Sequence, residues 1–97
     1  MSKYTQSARG RECTVRIPGI CNHNPETVVF AHLNGAGMGR KFPDVIGAYC
    51  CSACHSAVDG RLSASQIPIS RNELRIAHYE GMVRTQLIMI DEGILKL

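Results

Sequence analysis

The sequence predicts a small α+β fold stapled by a metal ion, with a long helix at its C-terminal end. Three observations carry that expectation: five cysteines in 97 residues, two short apolar segments around a glycine-rich loop, and a capped helical pattern beginning at Ser70. Apolar residues make up 44 %, but aromatics only 5 %, and Trp is absent. A core of this size is marginal unaided, and small domains recruit a disulfide or a metal to compensate. The length fits one domain, residues 1–97, and not two with separate cores.

Each element follows in chain order. Residues 1–10 are polar and basic, lack an apolar signal-peptide segment, and read as an exposed arm. Cys13 to Cys21 alternates, turns at Pro18-Gly19 and resumes, which predicts a short hairpin. Thr27 to Leu33 is rich in β-branched and apolar residues and predicts a strand. Residues 34–44 hold three glycines, the Arg40-Lys41 pair and Pro43, and predict a loop. Val45 to Tyr49 predicts the second strand, and Cys51 to Gly60 a metal knuckle opening into a short helix. After a linker at residues 61–69, Ser70 and Glu73 form a capping-box pattern for a helix running to Glu92, with Gly93 as its stop. Gly81 inside that helix marks either a weak point or a close backbone approach, and no clean apolar stripe fixes its core face.

Cys51 and Cys54 form a C-x-x-C pair, the tightest spacing at which two thiolates chelate one ion. The predicted hairpin brings Cys13 and Cys21 together as a second pair, so the four complete a tetrahedral zinc site. A C-x-x-C alone also suits a redox motif, but the second pair and the missing βαβ pattern favour zinc. Cys50 could replace Cys51 only at a wider spacing to Cys54 and reads as a small buried hydrophobe, while His23, two residues after Cys21, could compete as a ligand but reads as a solvated loop histidine. Five cysteines fit poorly with full disulfide pairing, and the longest apolar run, Leu87 to Ile90, is far too short for a bilayer. The expectation is therefore a reducing cytoplasm and no membrane.

Net charge is +3, and residues 1–61 carry all of the excess, with seven basic and four acidic side chains. That admits an anionic partner, nucleic acid first, or an ordinary solvated surface. His32 falls at a strand end, while His55 and Asp59 lie one helical turn apart and face the same way. An imidazole and a carboxylate so placed suit a divalent cation, Mg2+ or another, and a neighbouring strand histidine suits a general base.

The order strand-histidine, loop, C-x-x-C-H, helix resembles the HNH (His-Me finger) endonucleases. More narrowly, RGREC, VRIPG, NPET, AHL, the glycine-rich loop ending in Lys41, PD, CSACH, EGM and RTQ resemble the YbcO family. That is a prophage-encoded nuclease group related to the phage recombination nuclease Ref. The resemblance implies a ββα-metal, treble-clef fold and hydrolysis of DNA phosphodiester bonds in phage replication or recombination in a bacterial host. It also implies His32 as base, His55 as metal ligand and Asp44 as the residue that orients the base. Arg40, Lys41 and Arg61 are then the expected phosphate contacts. Many HNH enzymes place a metal-binding residue immediately before the base histidine, where this chain has Ala31. That departure favours a rival reading, a non-catalytic zinc module that binds nucleic acid or a recombination protein.

Overall fold

A two-stranded antiparallel sheet forms the centre of the molecule, β1 (Val29–His32) against β2 (Gly47–Cys50). The computed structural model describes residues 3–33, 43–60 and 69–96. The register sets Val29 opposite Cys50, Phe30 opposite Tyr49, Ala31 opposite Ala48 and His32 opposite Gly47. The first strand starts later than its sequence suggests. Asn24 caps a short 3-10 turn, Pro25–Thr27, its side chain accepting from the Glu26 amide at 3.1 Å, and this uses the residues before Val28. Pairing continues beyond the strands where the Leu33 amide donates to the Ile46 carbonyl at 3.0 Å.

Among the described residues three helices surround the sheet: α1 (Lys3–Ser7), α2 (Ser52–Val58) and α3 (Arg71–Asp91). The segment expected as an exposed arm instead contains α1. Ala8 is buried, the Ser7 hydroxyl lies 2.8 Å from the Tyr49 hydroxyl, and Arg11 reaches Glu92 with both terminal nitrogens. Arg11 also sits 5.8 Å from the centre of the Tyr49 ring. Charge and hydroxyl contacts thus tie down a segment whose polar composition suggested freedom.

The hairpin expected from Cys13 to Cys21 is a run of bends and turns. Arg16 adopts a left-handed φ of 51°, which breaks the extended run. Thr14 spends its backbone amide on the Tyr49 carbonyl, 2.8 Å away, so this segment borders β2 instead of pairing with itself. The turn still forms, with the Ile20 and Cys21 amides both donating to the Ile17 carbonyl.

Helix α3 packs along β2. Ser70 and Glu73 close the reciprocal capping box, and Gly93 (φ 77°) follows the helix end. Its buried positions are Leu74, Gly81, Thr85 and Met89. A Cβ at Gly81 would meet Val15 Cγ2 at 2.8 Å and the Val15 Cα and N at 3.1 Å, so glycine here permits backbone-to-helix contact.

A buried relay of hydroxyls joins three segments. The Tyr49 amide donates to Thr85 Oγ1 at 3.0 Å, the Thr85 and Thr14 hydroxyls lie 2.9 Å apart, and Thr14 Oγ1 donates to the Tyr49 carbonyl at 2.9 Å. This relay gives β2 the partners that a third strand would supply. Among the described residues, no helix is long and apolar enough to cross a membrane.

Candidate metal centre and candidate catalytic histidines

Cys13, Cys21, Cys51 and Cys54 converge, with one sulfur from each lying within 4.8 Å of all the others. Among the described residues this is the one group of three or more candidate ligands so close together. The Cys21 and Cys51 sulfurs stand 3.8 Å apart. A tetrahedral ion with Zn–S bonds of about 2.3 Å needs sulfur separations of ~3.8 Å, so the donor set fits a closed structural site. All five cysteines are free thiols.

Local backbone geometry explains how two short segments present their sulfurs. Cys51 is the N-cap of α2, where its sulfur accepts the Cys54 amide at 3.4 Å. The left-handed Arg16 turns its amide back onto the Cys13 sulfur, also at 3.4 Å. The two pairs therefore share a knuckle geometry in which a peptide N–H supports thiolate charge. Thiol donation from Cys50 and Cys54 holds Cys13 well below the ordinary thiol range, against the opposing effect of burial. The same interaction with Cys13 pushes Cys54 and Cys50 well up. A divalent ion bound there would hold the coordinating sulfurs as thiolates.

Cys50 is fully buried in β2 and outside the four-sulfur group, although its thiol interacts with Cys13. His23 is exposed, yet its Nδ1 lies 3.7 Å from the Cys21 sulfur, so the loop histidine borders the cluster. Its place two residues after Cys21 admits it as a competing ligand, against the reading of a solvated loop residue. The contact depends on the left-handed φ of 54° at His23.

The histidines fall into pairs. His32 closes β1, and its Nε2 lies 3.5 Å from Asp44 Oδ1. The Phe30 ring meets the His32 ring edge-on, with centroids 5.0 Å apart. On α2, His55 Nε2 lies 3.5 Å from Asp59 Oδ2, and Asp59 is the C-cap of that helix. Among the described residues, His32, His55 and Asp59 do not close into a group like that of the thiols. Arg40, Lys41 and Arg61 lie outside the described residues.

Sequence reasoning missed His78. Its Nε2 lies 2.9 Å from the Ala31 carbonyl, the peptide just before His32. Burial pushes this imidazole below its ordinary value, and the nearby His55 adds to the effect while the Ala31 carbonyl and Asp59 oppose it. His78 follows Leu74 by four residues on the inward side of α3, a signal readable only once that side is known.

A family model described as "Putative nuclease YbcO" matches residues 2–94. A protein of that description from Escherichia coli K12 is 44 % identical over 99 residues, covering 99 % of both chains, and one from Enterobacteria phage 82 matches equally. A solved structure titled as a putative bacteriophage protein from Escherichia coli K-12 MG1655 superposes with a TM-score of 0.77 at 46 % identity. It covers 92 % of this chain and 98 % of its own.

Proposed function

The chain belongs to the YbcO family, and from that membership we propose that it is a metal-dependent endonuclease of HNH type that hydrolyses DNA phosphodiester bonds. The observation that carries the reading is the order of elements around two histidines: β1 ending in His32, Asp44 leading into β2, and α2 carrying His55. Relatives from a bacterium and a phage carry the name "Putative nuclease", which supports nucleic acid as the substrate class. Phage replication or recombination, in the host cytoplasm, is the corresponding setting.

In this mechanism Asp44 faces His32 Nε2 and favours the tautomer that carries its proton there. The Nδ1 lone pair is then available to take a proton from an attacking water. His78 holds the Ala31 carbonyl, and with it the end of β1. His55 and Asp59 would hold a divalent ion, Mg2+ or another, which supplies charge stabilisation at the leaving oxygen. Cys13, Cys21, Cys51 and Cys54 would bind structural zinc. Arg40, Lys41 and Arg61 would hold the phosphate backbone without reading bases.

The test is cleavage of single-stranded, branched and duplex DNA with and without added Mg2+, Mn2+ or Ni2+. His32→Ala is expected to keep zinc, fold and DNA binding and to lose at least ~100-fold in cleavage. His55→Ala is expected to lose cleavage with partial rescue by excess divalent metal, because its defect is one of affinity. An inactive wild type with every DNA form and metal, or a fully active His32→Ala, sinks the enzyme reading. The rival, a non-catalytic zinc module binding nucleic acid or a recombination protein, draws its support from Ala31, whose buried methyl offers no metal donor.

A further inference from the structure

The outer side of α3 is apolar and uncovered. Ile76, Val83 and Ile90 recur every seven residues and are 57 %, 52 % and 36 % exposed. Tyr79 and Leu87 fill the intervals and are 41 % and 62 % exposed. At ~100° per residue, these five fall on the side opposite Leu74, Gly81 and Thr85, which pack on the body. A helix with one buried side and a second apolar stripe facing water has an unmet partner.

We infer that this stripe is the seam of a homodimer in which the α3 helices of two copies pack in parallel. Identity of residue type at the seven-residue positions is the first argument. Ile, Val and Ile are all β-branched, as the first core position of a two-stranded parallel pair prefers, while the second core position holds Tyr79 and Gln86 in place of leucine. Charge is the second. Arg75 and Glu80 are exposed and flank the stripe on opposite sides, five residues apart. That is the spacing at which flanking residues of two parallel helices meet, so Arg75 of each copy faces Glu80 of the other. The parallel seam also sets both copies of His32 at one end, because His78 near that end of α3 holds the Ala31 carbonyl.

Sedimentation of the zinc-loaded full chain, from roughly micromolar to roughly millimolar, reads the equilibrium directly. Wild type is expected to shift from monomer to dimer across that range. Val83→Glu sets two carboxylates against each other in the seam and is expected to weaken dimerisation by roughly a hundredfold or more, with helix content and zinc unchanged. Arg75→Glu replaces two attractions by two repulsions and is expected to weaken it by about tenfold. Adding Glu80→Arg to it is expected to restore the wild-type constant. A wild type monomeric throughout overturns the inference, as does a Val83→Glu protein that dimerises normally. A double reversal no better than Arg75→Glu alone overturns the parallel register, and the charge variants decide the matter even if Val83→Glu does not fold. If Val83→Glu impairs DNA binding by a monomeric wild type, the stripe belongs to that contact and the dimer is refuted.

Discussion

Thr85→Val removes one hydroxyl from the centre of the molecule and leaves the side-chain volume almost unchanged. Thr85 is fully buried. Its Oγ1 accepts from the Tyr49 amide at 3.0 Å and lies 2.9 Å from Thr14 Oγ1. With valine the Tyr49 N–H loses its acceptor in a place water does not reach, while Thr14 keeps the Tyr49 carbonyl. An orphaned buried donor costs ~1–3 kcal/mol. The extra methyl returns at most about 0.8 kcal/mol. A net loss of about 1 kcal/mol follows, and in a domain of this size it lowers Tm by about 4–8 °C. Thr85→Ser keeps the hydroxyl and loses only a methyl, at ~0.5–1.5 kcal/mol. Thermal unfolding of the zinc-loaded proteins is therefore expected to place both variants below wild type, and amide exchange separates the lost hydroxyl from the lost methyl. Amide exchange at Tyr49 should quicken in the valine variant beyond the change at neighbouring amides. A valine variant as stable as wild type, or one whose Tyr49 amide exchanges no faster than in the serine variant, refutes the claim that the relay holds β2 to α3.

Four further outcomes are expected. Cys54→Ser should lose bound metal and cooperative folding, because ligand binding and folding are coupled, whereas Cys50→Ala should keep its full metal complement by elemental analysis. Gly81→Val should destabilise by at least ~1–3 kcal/mol in urea titration, since the new side chain enters space held by the Val15 backbone. Burial lowers the His78 pKa from its ordinary 6.5, so the unfolded chain binds this proton more strongly. The stability His78 contributes is therefore full above that value and falls as pH drops below it, and His78→Gln should flatten the decline while zinc content is monitored. Alanine at both Arg40 and Lys41 should weaken DNA binding uniformly across sequences and lower the salt slope by about two. An unchanged slope would remove the glycine-rich loop from the contact surface.

The ends of the metal cluster were legible because cysteine chemistry is local. Two thiols three residues apart at a helix start suit either chelation or redox chemistry, the second cysteine pair decides between them, and the turn at Pro18-Gly19 needs only its own residues. The capping box at Ser70 and the stop at Gly93 were legible for the same reason, since a helix end is decided within four residues. Pairings of His32 with Asp44 and of His55 with Asp59 were anticipated from spacing and resemblance, and the structure brings each pair to 3.5 Å.

Tertiary structure decided the rest. Residues 3–8 look like a solvated arm until Tyr49 and Glu92 supply partners for Ser7 and Arg11 from far along the chain. The segment from Cys13 to Cys21 alternates like a strand, but the Thr14 amide goes to β2 and the Arg16 amide to the Cys13 sulfur, and the segment bonds to itself at the turn after Ile17. The inward side of α3 was hidden because it is built from Gly81 and Thr85, one chosen for closeness and the other for its hydroxyl. The more apolar stripe from Ile76 to Ile90 faces out. Periodicity records where apolar residues lie, and only packing determines which of two helix sides meets the body and which waits for another surface.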